Sequence, residues 1–247
     1  MSKEGIIPYG SVLPCGGRGT RLQPITEDRI PKSLFKVGGQ ELIRYSTDVL
    51  DPSMVGHLVF AVDHRAEQIH DWVESAGLPN IVRFSEQTEP GVLGALSTAA
   101  VQVPEAQFIA CNTDEVRTNM DLERILDFHE KSGTLATMVT TYTNRLSRHR
   151  TVTVRGDGRV VATELKPESY KNKPHAVGLV NTGFLVMDKR VTEHFDPSHS
   201  IDWGGLIDPL CDAGQLSAFA DRNIAYFNVG TPEEYQEAET FLRQKAA

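Results

Sequence analysis

Ser11-Val12-Leu13-Pro14-Cys15-Gly16-Gly17-Arg18-Gly19-Thr20-Arg21-Leu22, residues 11–22, sets an apolar run directly against three glycines in four positions. The run Ser11 to Cys15 reads as a strand, and the glycines read as a turn at its carboxyl end. Without a Cβ, such a turn lets backbone N–H groups close around a phosphate. Taken alone it also serves plain chain geometry. It lacks the GK[ST] ending of a P-loop, and its spacing is not that of the dinucleotide fingerprint.

Working outward, Leu58 to Val62, Ile81 to Phe84 and Phe108 to Cys111 read as further strands. Leu42 to Leu50, Ala66 to Ala76, Val92 to Val101 and Leu122 to His129 read as amphipathic helices between them. Strand and helix in alternation predict an α/β fold: a doubly wound, mostly parallel, Rossmann-like mixed sheet, with ligand loops at the carboxyl ends of its strands. After about residue 134 the pattern changes to the longer β-like runs Leu135 to Tyr142, Thr151 to Val154, Val160 to Thr163 and Val177 to Met187. Gly156-Asp157-Gly158 is a hairpin turn between two of them. Thr231-Pro232-Glu233-Glu234 starts a closing helix, with threonine as cap and proline at the first helical position. No linker separates the parts, so residues 1–247 are expected to form one domain, with an α/β part at about 10–133 and a β-rich lobe at about 134–247.

The chain has 247 residues, 40% hydrophobic and 23% charged, which is the balance of a folded globular protein. No apolar run approaches the roughly 20 residues of a membrane span, and the N-terminal MSKEGIIPYG lacks a signal-peptide pattern. No membrane association and a cytoplasmic location are expected. Cys15, Cys111 and Cys211 form neither a disulfide framework nor a paired CxxC site. The formal charge of −8 argues against nucleic acid as a partner. Residues 16–36 run against that balance, with Arg18, Arg21, Arg29, Lys32 and Lys36 facing only Glu27 and Asp28, a local charge of +3. Phosphate is expected there. Asp114 follows the apolar run Phe108 to Cys111, which puts its carboxylate at a strand end facing a cleft. There it either ligates a hard cation such as Mg²⁺ or closes the strand as an Asx turn.

The glycine turn continues through Gln23-Pro24-Ile25-Thr26 to Pro31-Lys32-Ser33-Leu34. The whole resembles the G-G-x-G-T-R-L-x-P-x-T…P-K-x-L signature of the sugar-1-phosphate nucleotidyltransferases, also called nucleoside diphosphate sugar pyrophosphorylases. Five further segments keep the family's order: Gln87 to Leu96 (its E-P-L-G-T-A-G-A-L loop), Asn112-Thr113-Asp114 (N-G-D), Leu165-Lys166-Pro167 (E-K-P), Asn181-Thr182-Gly183 (N-A-G) and Asn228 to Tyr235 (D-I-G-T-P-E-D-Y). The resemblance implies a Mg²⁺-dependent enzyme that joins a nucleoside triphosphate to a sugar 1-phosphate and releases pyrophosphate. It implies that Gly16, Gly17, Gly19 and Thr20 cradle phosphate, that Arg21 holds the triphosphate tail, and that Lys32 bridges the reacting phosphates. Asp114 would hold the metal, Lys166 would contact the sugar phosphate, Gln87 and Gly94 would lie beside the base, and Asn112 and Asn181 would line the substrate site. The resemblance further implies a nucleotide-binding part at about 10–133, a sugar-binding lobe at about 134–247 and association as a homo-oligomer.

Three positions depart from the pattern. Asn228 stands where the family has an aspartate as second metal carboxylate, and an amide oxygen there ligates without charge. Leu165 replaces the glutamate of E-K-P, with Glu164 one residue early. Thr151, after Arg148-His149-Arg150, stands where relatives have a glycine lining the sugar pocket, so an unusual acceptor is expected. The chain's short length leans the reading toward guanylyl transfer. A cytidylyltransferase for a non-sugar phosphate or phosphonate, and a catalytically weak regulatory relative that binds a nucleotide sugar, stay open beside it.

Overall fold

The computed structural model describes residues 7–27, 29–173, 175–194 and 202–246; Asp28, counted above, and most of the N-terminal stretch lie outside them. The first half runs β1 (Tyr9–Pro14), α1 (Gln23–Thr26), a hairpin of β2 (Lys36–Val37) and β3 (Gln40–Glu41), α2 (Arg44–Thr47), β4 (Val55–Val62), α3 (Ala66–Ala76), β5 (Ile81–Glu86), α4 (Gly91–Ala100), β6 (Gln107–Cys111), β7 (Glu115–Thr118) and α5 (Leu122–Ser132). The second half runs β8 (Ala136–Thr143), β9 (Arg150–Val154), β10 (Val160–Leu165), β11 (Gly178–Asp188), α6 (Gly204–Asp212), β12 (Leu216–Ala220), β13 (Ala225–Asn228) and α7 (Pro232–Ala246).

Nine of these strands form one mixed sheet. β5, β4, β1 and β6 lie side by side and parallel, as expected of strands joined by crossover helices. β11 then pairs antiparallel with β6, and the sheet continues through β9 and β10 on one branch and through β8 and β12 on the other. β11 belongs to both halves: its start pairs with β9, its end with β6, and its register against β8 shifts between Asn181 and Leu185. Gly183, at φ +65°, lies inside that irregularity. β7 and β13 form a separate antiparallel pair in which Asn228 stands opposite Glu115.

Alternation along the strands fills two cores. Val12, Val59 and Ala61 face Leu93 and Leu96 of α4, while Leu13, Leu58, Phe60 and Val62 face Ile69 of α3 and Ile125 of α5. Helices thus cover both faces, which is the doubly wound arrangement. A third cluster under α7 joins Leu22, Val37, Val116 and Val229. Among the described residues no helix is long and apolar enough to cross a membrane. Cys15 and Cys111 are buried free thiols, and burial pushes Cys15 up to about 12.

The Gly156–Gly158 turn closes as expected, with Gly158 N–H on the Arg155 carbonyl and φ of +82° at Gly158. Thr231 caps α7, its hydroxyl accepting from the Glu234 N–H at 3.3 Å. One helix is overcalled by periodicity. Only Arg44–Thr47 of the stretch Leu42 to Leu50 is α-helical. Leu42 and Ile43 tie the stretch to the carbonyls of Phe35 and Ser33, and after Asp48 the i→i−4 ladder is left, with the Leu50 N–H on the Thr47 carbonyl in a tighter turn.

Candidate active site

The loops after β1, β4, β5 and β6 meet in a cleft of about 620 Å³. The glycine turn forms one wall, and its glycines differ in why they are glycine. A Cβ on Gly16 would lie 2.7 Å from Gln87 Oε1 and 2.9 Å from Asp63 Cβ, so close packing excludes one. Gly17 faces open space. Gly19 has φ of +59° and packs on the Lys32 stem. Gly16, Gly17, Arg18 and Arg21 line the cleft, whereas Gly19 and Thr20 are not among its lining residues. Arg21 reaches toward the Gly230 turn, where Glu234 accepts the Gly230 N–H at 2.8 Å.

Lys32 and Asp114 meet on the cleft floor. Lys32 Nζ lies 2.5 Å from Asp114 Oδ2, with the lysine side chain 10% exposed and the aspartate 40%. Burial pushes the Asp114 carboxyl up, but the charge and hydrogen bond of Lys32, with Arg117 behind, outweigh it and hold the group below the usual carboxylate range. The two residues expected to handle phosphate and metal are therefore at one point, and Asp114 is an anion there at neutral pH.

Two expectations for the base side change. Gln87 lines the cleft, but its amide N–H groups go to the Glu89 and Gly91 carbonyls at 2.6 and 2.8 Å, so they brace the loop rather than face a base. Gly94 is buried in α4 and does not line the cleft. A Cβ on it would lie 2.0 Å from the Glu89 carbonyl oxygen, so its glycine serves that same loop.

A second, smaller pocket opens from the cleft through Asn112, Glu115, Trp203 and Asn228. Lys166, Asn181, Arg148 and His149 line it. Lys166 takes φ of +48° and gives its N–H to the His149 carbonyl. Asn181 is 8% exposed and accepts the Gly183 N–H, and Trp203 Nε1 donates to Asn112 Oδ1 at 3.2 Å. Trp203 thus supplies a polar contact as well as packing. Burial, together with the charges of Arg145, Arg148 and Lys166, pushes His149 down to about 4, so the ring is neutral. Arg145 and Arg148 both pair with Glu237 of α7. Thr151 is not among the lining residues, and its hydroxyl donates to the Glu164 carbonyl across the β9–β10 pair at 3.3 Å. Leu165 does line it.

Sequence reasoning missed what lies beneath Asp114. Glu115 and Arg117, 6% and 2% exposed, form an ion pair at 2.5 Å, and the Tyr226 hydroxyl donates to the other Glu115 oxygen at 2.9 Å. Burial, with the neighbouring Asp114 charge, pushes Glu115 up to about 7 against the opposing pull of Arg117. The available signal was two opposite charges at alternate positions of one short strand, Glu115-Val116-Arg117, which places both on the same face.

Among the described residues no group of three or more His, Cys, Asp or Glu gathers to hold a metal. Asp114 and Asn228 nevertheless present hard oxygen atoms to the same cleft. That donor set fits Mg²⁺, which keeps several waters and takes one or two protein oxygens alongside substrate phosphates.

Residues 11–245 match the family profile described as nucleotidyl transferase. Over 230 residues the chain is 24% identical to the mannose-1-phosphate guanylyltransferase catalytic subunit beta of Drosophila pseudoobscura pseudoobscura, covering 91% of this chain and 60% of that one. The chain thus spans about three fifths of that relative's length. Among solved structures, a putative glucose-1-phosphate thymidylyltransferase from Bacillus anthracis in complex with a sucrose superposes with a TM-score of 0.76 at 17% identity, covering 95% of each chain. The inositol-1-phosphate CTP transferase from T. maritima gives a TM-score of 0.74 at 19% identity, covering 98% of this chain and 99% of that one.

Proposed function

The chain belongs to the nucleotidyl transferase family, and on that premise we propose that it transfers a nucleoside monophosphate from a nucleoside triphosphate to a sugar or cyclitol 1-phosphate. An oxygen of the acceptor phosphate attacks the α-phosphorus, the new P–O bond forms, the α–β anhydride bond breaks, and pyrophosphate leaves. No side chain has to remove a proton, because the attacking phosphate is already ionised at neutral pH. Positioned charge should therefore supply most of the rate enhancement.

The observation that carries this reading is the Lys32–Asp114 pair on the floor between the glycine turn and the Lys166 pocket. The glycine turn, Arg18 and Arg21 would hold the triphosphate tail and the departing pyrophosphate. Lys32, a mobile point charge, would move from Asp114 onto the reacting phosphates. Lys166, with Arg148 beside it, would hold the acceptor phosphate. Mg²⁺ held by Asp114 and Asn228 would neutralise phosphate charge and orient the phosphate oxygens.

The guanylyltransferase relative favours guanine as the base, and the likeness in fold to the inositol-1-phosphate CTP transferase keeps cytidylyl transfer to a cyclitol or other non-sugar phosphate as the second reading. Phosphorus NMR of a reaction containing GTP or CTP, Mg²⁺ and sugar or inositol 1-phosphates separates them. The expected result is a new diphosphodiester signal and pyrophosphate in equal amounts with GTP. The same pair of signals with CTP alone overturns the guanylyl assignment, and their absence with every triphosphate overturns the transfer itself.

A further inference from the structure

Arg117 uses its whole guanidinium inside the protein. Nε donates to the Thr182 carbonyl at 2.6 Å, and Nη1 donates to Ser46 Oγ at 3.2 Å and lies 3.4 Å from Cys111 Sγ. Nη2 donates to Glu115 Oε2 at 2.5 Å and to the Asn112 carbonyl at 2.9 Å, with the Gly183 carbonyl at 3.3 Å. One side chain thus ties α2, the turn Asn112–Glu115 and the bulge of β11. The Ser46 hydroxyl adds a second bond to the Asn112 carbonyl at 2.8 Å. Gly183 makes room, since a Cβ there would lie 2.0 Å from Glu115 Oε2 and 2.6 Å from Asn112 Nδ2.

Burying two charges costs several kcal/mol per ion, and an apolar pair of similar volume would fill β7 at less cost. What the pair supplies is a fixed fork of donors around the turn that carries Asp114. Glu115 extends that control across the site. Its Oε1 accepts the Tyr226 hydroxyl of β13, where Tyr226 stands opposite Arg117 and Asn228 opposite Glu115. Asp114 precedes Glu115 by one residue, and Asn228 follows Tyr226 by two. Glu115 borders both the cleft and the smaller pocket, but it is only 6% exposed and each of its oxygens is already engaged inside the protein, one by Arg117 and one by Tyr226.

We infer that Arg117, Glu115 and the Tyr226 hydroxyl are positioning residues that set the separation and orientation of Asp114 and Asn228, the two oxygen donors at the reacting phosphates. The inference rests on the reaction proposed above.

The test uses Tyr226→Phe, which removes only the hydroxyl, and Glu115→Gln, which keeps the shape and loses the charge. Melting curves check folding. The Mg²⁺ concentration giving half-maximal pyrophosphate release is expected to rise about 10-fold and kcat to fall about 10-fold, with KM for the sugar phosphate within about twofold of wild type. Mn²⁺ binding measured by electron paramagnetic resonance, independent of turnover, is expected to weaken by a similar factor. In an Asp114→Asn background, Glu115→Gln is expected to weaken Mn²⁺ binding no further. Folded variants with unchanged Mg²⁺ requirement and unchanged Mn²⁺ affinity, or losses that add in full on Asp114→Asn, overturn the positioning role alone. A wild-type chain that neither releases pyrophosphate nor binds Mn²⁺ overturns the proposed reaction and this inference with it.

Discussion

The two ends of the active-site groove are built from different materials. At the glycine turn the chain offers backbone and small residues, with Gly16 pressed against Gln87 and Asp63 and with Arg18 and Arg21 at the rim. At the other end, on the antiparallel half of the sheet, side chains form the walls: Lys166, Arg148, His149, Asn181 and Trp203. Phosphate is common to every nucleotide, and a ring of N–H groups recognises it whatever is attached. An acceptor sugar of the proposed reaction would be recognised by its particular hydroxyls, a task for side chains rather than for backbone. The contrast can be tested from each end.

The largest effect belongs to the point where the ends meet. Lys32→Ala and Asp114→Ala are each expected to lower the rate of pyrophosphate release by about 10²–10³-fold, with circular dichroism unchanged. A wild-type rate in either folded variant would break the division, because the centre would then lie elsewhere. Next come Lys166→Ala and Arg148→Ala, which should raise KM for the acceptor about 10-fold while leaving KM for the nucleotide within about twofold. A rise in the nucleotide KM instead would erase the distinction between the ends.

A pH series separates the halves in another way. His129, buried against Thr137 of β8, is pushed down to about 4 by burial, as is His149. Both folded values lie below the ordinary histidine value near 6.5. Through that interval the unfolded chain binds more protons than the folded one, so this contribution is complete above about pH 6.5 and is lost as pH falls toward 4. The melting temperature should drop across that window, and less steeply in His149→Gln. An unchanged slope in that variant would remove His149 from the account. The smallest effect is expected within the glycine turn itself: Gly17→Ala should change activity by less than about twofold, since a Cβ there meets open space, whereas Gly16→Ala should cost about 10-fold through displacement of Gln87 and Asp63. Equal effects would show that the turn is read as a whole rather than glycine by glycine.

How much of this was legible in the sequence follows the same division. That the glycine turn, Lys32 and Asp114 share one cleft was legible from the family's ordered motifs, together with glycines directly after a strand, a local excess of cations and a carboxylate at a strand end. The four parallel strands could be read because each is a short apolar run flanked by an amphipathic helix. The Glu115–Arg117–Tyr226 cluster could not, since β7 and β13 are paired across more than a hundred residues and neither strand is long enough to show a period. A charged residue in a short strand is ordinarily solvent-facing, and only the pairing shows these two to be buried. The contacts of Gln87 and Gly94 within their own loop were hidden for a related reason: a loop that braces itself uses the same amides and glycines as one that contacts a ligand. α2 is shorter than its periodicity predicts because apolar spacing does not register where the i→i−4 ladder stops, which here is after Asp48, with the Leu50 N–H turning to the Thr47 carbonyl.

In the proposed reaction the two ends bring a triphosphate and a sugar phosphate together over Lys32 and Asp114. Pyrophosphate release with Mg²⁺, measured across ATP, GTP, CTP, UTP and dTTP, each paired with a panel of sugar and cyclitol 1-phosphates, decides whether they do. Mg²⁺-dependent release is expected with one nucleotide and acceptor pair, stopped when either partner is omitted. A folded wild-type chain that binds a nucleotide in a heat-shift assay yet releases no pyrophosphate with any pair would contradict that reaction.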